Sequence, residues 1–103
     1  MDEKKKEKII NLLRLARKAK AVAFGRIAVK KSIASHNTKL IFSGKRNSNF
    51  LRRNCEICKQ KGIQISYIFP DEELSKIFGR QKLTLVAIIN KDFTRGIKII
   101  LDS

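Results

Sequence analysis

Apolar residues in this chain alternate between helical and strand spacing, and that alternation limits the folds open to it more than any single motif does. From Glu3 to about Lys20, Ile9, Leu12, Leu13 and Ala16 recur every three or four residues with Lys and Arg between them, which predicts an amphipathic helix. Ala21 to Phe24 is a short apolar run ending at Gly25, and Val29 and Ile33 then return to helical spacing, so the chain reads strand, tight turn, helix. Lys39 to Phe42 is the next buried strand. The polar loop Ser43, Gly44, Lys45, Arg46 and Asn47 follows it, then a helix from about Ser48 to Lys61 with Leu51, Cys55 and Cys58 on one side, stopped by Gly62. Ile63 to Ile68 alternates as a strand should, and Pro70 and Asp71 open a short helix carrying Leu74, Ile77 and Phe78 that Gly79 ends. Leu83 to Ile89 is the most hydrophobic strand; Asn90 or Asp92 then caps a last helix with Phe93, Ile97 and Ile100, weakened by Gly96. Five helices and four strands in alternation predict an α/β layered domain spanning residues 1–103, with helices on both faces of a largely parallel sheet.

Charge is distributed unevenly over this frame. Of 24 Lys and Arg residues, 15 lie between Lys8 and Pro70, where Glu56 is the only carboxylate, so nearly all of the net charge of +15 belongs to that segment. Because the same segment carries the apolar periodicity, its charge forms a surface rather than a tail. A polyanion is the expected partner, nucleic acid first, since neutralising phosphates releases counterions and gives affinity without special chemistry. No apolar run approaches the roughly 18 residues that span a bilayer, and the first eight residues mix both signs of charge, so a cytoplasmic protein without a membrane partner is expected.

Catalytic residue types are scattered rather than clustered. His36 is the single histidine, read as a helix-end residue. Asp71, Glu72 and Glu73 fall in a first helical turn, where carboxylates complement the helix dipole. Cys55 and Cys58 have the spacing of half a zinc site, but a structural zinc takes about four ligands, and Cys55 lies too far inside its helix for a thioredoxin-like role. Both are read as reduced packing residues. Five isolated glycines form neither a phosphate loop nor a dinucleotide fingerprint. No enzyme activity, cofactor or metal is expected.

The strongest local signal is the junction Phe24, Gly25, Arg26, Ile27, Ala28, Val29, Lys30, Lys31. Glycine at a strand end lets backbone approach a ligand closely, and the following helix points its free amides at any phosphate there. Val29 and Ile33 define the buried side, which leaves Ile27 and Lys31 together on the opposite one. An isoleucine is thus presented to solvent among Lys20, Arg26, Lys30 and Lys31.

The stretches LLRLARKAKAVAFGRIAVKKSIASHNTKLIF, CKQKGIQISYIFPDEELSKIFGR and LVAIIN resemble the kink-turn RNA-binding ribosomal protein superfamily, typified by the archaeal large-subunit protein L-seven-Ae, and look closest to its small bacterial YlxQ-like branch. The resemblance implies a three-layer α/β/α sandwich with a small, about four-stranded mixed sheet. It also implies an RNA contact made by Gly, Asn, Glu and Lys at the start of the second helix. Gly25 matches the glycine and Lys31 the lysine, whereas Ile27 and Ala28 stand at the Asn and Glu positions, and neither can hydrogen-bond a base edge. The second contact it implies is the loop Ile68, Phe69, Pro70 and Asp71, where Phe69 suits either stacking on an unstacked base or the core. Lys45 and Arg46, with Arg80 and Lys82, are further phosphate candidates from their loop positions. The expected function is a non-catalytic RNA-binding protein of the translation apparatus, docking kinked or structured RNA, with the ribosome a possible destination. The competing expectation is a protein-interaction module in which Ile27 anchors an acidic partner.

Overall fold

A computed structural model describes all 103 residues. Helix α1 (Glu3–Lys18) is capped by Asp2, whose carboxylate accepts from the Lys5 amide at 2.9 Å, and it buries Ile9, Leu13 and Ala16. Strand β1 (Val22–Phe24), helix α2 (Gly25–Ala34), strand β2 (Leu40–Ser43) and helix α3 (Asn49–Gln60) follow, with Ser48 capping α3. Strand β3 (Gln64–Ser66), helix α4 (Asp71–Phe78), strand β4 (Leu85–Ile88) and helix α5 (Lys91–Leu101) complete the chain. Asn90, not Asp92, caps α5.

The four strands form one sheet in the order β1-β4-β2-β3. Helices α1, α4 and α5 cover one face, packing on Leu40, Phe42, Val86 and Ile88, while α2 and α3 cover the other, packing on Ile41, Leu85 and Ala87. Alternate residues of β2 and β4 therefore feed two separate cores, and burying each Leu, Ile, Val or Phe contributes about 1.5–3 kcal/mol. This is an α/β/α sandwich.

Only β2 and β3 are parallel; β4 runs antiparallel to β1 and β2. The expectation of a largely parallel sheet is corrected on this point, and the mixed sheet implied by the family resemblance is what forms. A parallel crossover needs a helix that returns along the strand, whereas the eight residues of α4 reach only about 12 Å. Its two ends stay beside the same edge of the sheet. Asp71 lies against Gly44 and Lys45, while the Ser75 hydroxyl accepts from the Leu83 amide at 3.0 Å. Hydrophobicity alone could not reveal this, because β4 is buried on both faces whichever way it runs.

Candidate nucleic-acid interface

These strand directions place the ends of β1, β2 and β3 and the beginning of β4 along one edge of the sheet. Four segments far apart in sequence meet there: the Gly25 junction, the loop from Gly44 to Ser48, the loop from Tyr67 to Pro70, and the loop from Gly79 to Thr84.

The Gly25 junction has the geometry of an anion site. Gly25 adopts φ +83°, a left-handed conformation that favours glycine, and a Cβ there would meet nothing within 4 Å. Backbone geometry, not crowding, selects glycine, and the space in front of it is open. Phe24 occupies the cap position of α2 and supplies no side-chain hydrogen bond, and the first turn carries no carboxylate. The leading amides of α2 thus keep their partial positive charge unanswered, beside the exposed Arg26.

Around that helix start the structure gathers most of the candidate residues. Arg26 and Lys45 line a cleft of about 310 Å³ with Ser43, Asn47, Asn49 and Thr84. Ile27 is 78% exposed, and it joins Arg26 and Lys30 in a shallower depression shared with Asn49, Arg53 and Asn54 of α3. Lys31 is exposed one turn farther along α2, and Ala28 is half-buried. The guanidinium of Arg80 sits 4.4 Å above the Phe24 ring, and that of Arg46 lies 4.6 Å above Tyr67. Each stack fixes a cation at the edge while leaving its N–H donors available for phosphate. Lys82 and Lys45 flank a broad depression along α4, and Lys45 Nζ stands 3.7 Å from the Asp71 carboxylate in the only ion pair of the protein.

Two expectations, for Lys20 and Cys55, are corrected here, and the alternatives left open for Phe69 are decided. Lys20 precedes β1 and stands at the opposite end of the sheet, beyond Ala21, whose carbonyl accepts from the Ile89 amide; sequence proximity to Gly25 concealed the length of the intervening strand. Phe69 is core: it is 1% exposed, with its ring centroid 5.8 Å from that of Phe42, so only the half-buried Ile68 and the exposed Pro70 can reach a ligand from that loop. Cys55 is exposed rather than part of the core, whereas Cys58 is buried and desolvation, reinforced by Cys55 and opposed by Lys61, pushes its thiol above the ordinary value. His36 follows the end of α2 with φ +60°, as a helix-end residue should.

The polar residues Asn47, Asn49, Asn54 and Thr84, together with Arg53, were not singled out from sequence as site residues, although the run SGKRNSN already held all four asparagine and serine positions that line the cleft. No group of three or more His, Cys, Asp or Glu side chains is placed to hold a metal ion, and no helix is long and apolar enough to cross a membrane.

Among solved structures, the chain matches a protein of unknown function from Bacillus halodurans with a TM-score of 0.83 and 18% identity, covering 93% of this chain and 98% of that one. It also matches the Giardia lamblia 15.5 kD RNA-binding protein with a TM-score of 0.78 and 13% identity, covering 99% of this chain and 88% of that one. The fold is shared. At these identities the likeness concerns backbone architecture, and the residues at the edge must be judged on their own chemistry. No protein-family model and no curated protein matches the sequence.

Proposed function

We propose that this is a non-catalytic RNA-binding protein of the translation apparatus, acting in the cytoplasm and docking a kink-turn-like RNA on the sheet edge around Gly25. The observation that carries the proposal is the convergence of Lys45, Arg46, Arg80 and Lys82, drawn from two separate loops, on the uncapped start of α2 and its own Arg26. Phosphates are the ligand chemistry that such a ring of donors fits. The RNA-binding function of the Giardia neighbour supports RNA as the polyanion. Resemblance to the kink-turn superfamily at Gly25 and Lys31 supports a bent RNA, and the same resemblance puts Ile27 and Ala28 where base-reading side chains would stand. Recognition therefore rests on RNA shape and backbone, with Ile27, Ile68 and Pro70 offering apolar contact to an unstacked base.

The exposure of Ile27 favours one second reading, an acidic protein partner anchored on that side chain. A titration against a kink-turn RNA, the same RNA with its G·A pairs replaced, and a plain duplex separates the two. The RNA reading expects the kink-turn RNA to bind above duplex and to be distinguished from its G·A-replaced version less strongly than by a protein with the full Gly, Asn, Glu and Lys motif. If none binds above duplex and Ile27→Asp abolishes capture of an acidic protein, the second reading replaces it.

A further inference from the structure

The opposite end of the sheet carries a second cationic surface that the Gly25 edge does not use. There β4 ends and β2 begins, and a groove of about 770 Å³ is bounded by Lys39, Ile89, Lys91, Arg95, Lys98 and Ile99. Lys91, Arg95 and Lys98 recur at i, i+4 and i+7, so they form a single stripe about 10 Å long on α5. The other side of α5 packs Phe93, Ile97, Ile100 and Leu101 into the core, which fixes the direction of the stripe.

None of the three stripe cations is engaged by a carboxylate, since the only ion pair is Lys45 with Asp71. Lys39 donates to the Lys61 carbonyl and adds charge rather than a free donor, and Asp102 is the one carboxylate lining the groove. Lys91 opens α5, where a cation opposes the helix dipole; helix stability favours a carboxylate there. Lys98, in the last turn, suits the dipole, whereas helix stability explains neither Lys91 nor Arg95.

Protein interfaces deplete charge, and lysine especially, at their centre, whereas this groove has four cations and only Ile89 and Ile99 as apolar residues. Phosphate backbone is the occupant it fits. The five residue steps from Thr84 to Ile89 separate the two ends of the sheet by roughly 17 Å, at about 3.3 Å per residue. That exceeds the screening length of about 8–10 Å near physiological salt, so the two surfaces act on separate stretches of polyanion.

We propose that the α5 groove holds a second segment of the same RNA that docks at the Gly25 edge, so that the protein clamps its RNA at both ends of the sheet. This rests on RNA being the partner. The test compares wild type, Lys91→Gln/Arg95→Gln/Lys98→Gln, and the control Lys4→Gln/Lys8→Gln/Arg14→Gln, which removes equal charge from exposed positions of α1 that line neither the α5 groove nor the clefts at the start of α2. Each binds a kink-turn RNA with long arms and the same RNA with its arms trimmed, across a salt series, with circular dichroism verifying folding. On the long-armed RNA the groove variant should lose about 2 from the log-log salt slope, at roughly 0.7–0.9 per phosphate contact, while the control and the trimmed RNA show no such loss. An unchanged slope in the groove variant, or an equal loss in the control, overturns the clamp and leaves the Gly25 interface standing. Wild type that binds neither RNA overturns both. Intact RNA binding with lost binding of polyglutamate overturns the clamp in favour of an acidic protein partner.

Discussion

Removing the two cations that flank Ile27, through Arg26→Ala with Lys31→Ala, should weaken RNA binding and leave the fold intact. Both side chains are exposed, and neither makes a hydrogen bond or ion pair within the protein. Their loss should change stability by no more than about 0.5 kcal/mol, which for a domain of this size moves Tm by roughly 2–4 °C or less. Binding should change in a salt-dependent way. Two lost phosphate contacts lower the log-log slope by about 1.4–1.8, so the affinity ratio of wild type to variant should shrink about tenfold between roughly 50 and 200 mM salt. Fluorescence anisotropy with a labelled kink-turn RNA reads that ratio, and a thermal melt reads the fold. A folded double variant whose slope equals that of wild type would refute the placement of phosphate at the start of α2.

Ile27→Asn with Ala28→Glu should raise the preference for a kink-turn over its G·A-replaced version, by about 1–3 kcal/mol on the scale of good bidentate base contacts, measured as an affinity ratio at one salt concentration. Phe69→Ala should cost about 3–5 kcal/mol in denaturant unfolding, as a core truncation does, and Pro70→Ala much less. Gly44→Ala should destabilise by about 1–3 kcal/mol, because a Cβ there would meet the Asp71 carboxylate and lie 2.6 Å from its backbone nitrogen, whereas Gly25→Ala strains φ alone. Stability should fall as pH rises from the ordinary thiol value near 9.0, because Cys58 holds its proton more tightly folded than unfolded; Cys58→Ala should remove that component of an alkaline melt series, and Cys55→Ala should only reduce it, since burial is the larger cause.

Local signals were legible in the sequence, and long-range direction was not. Strand end, Gly25 and helix start could be read because each step is a short-range preference: apolar run, left-handed backbone, then Val29 and Ile33 at helical spacing. The outward placement of Ile27 followed from the same periodicity. The antiparallel entry of β4 depends on α4 beginning and ending beside the same edge of the sheet, which no residue of β4 encodes by itself. Phe69 in the core and Lys20 at the far end both depend on how loops and strands are arranged in space, since each lies within a few residues of positions that do reach the edge. Cys55 misled for a different reason. Its spacing from Leu51 suits the buried side, but Phe50, Leu51 and Cys58 centre that side toward Phe50, which leaves Cys55 on the exposed flank.

The measurement that most directly tests RNA docking at the Gly25 edge is an amide chemical-shift titration of the protein with the trimmed kink-turn RNA. The largest changes should fall on the uncapped amides of Arg26, Ile27 and Ala28, with smaller ones in the loops holding Lys45 to Asn49 and Gly79 to Lys82, and none at Lys20. Shifts confined to other surfaces, with the start of α2 undisturbed at saturation, would contradict the account.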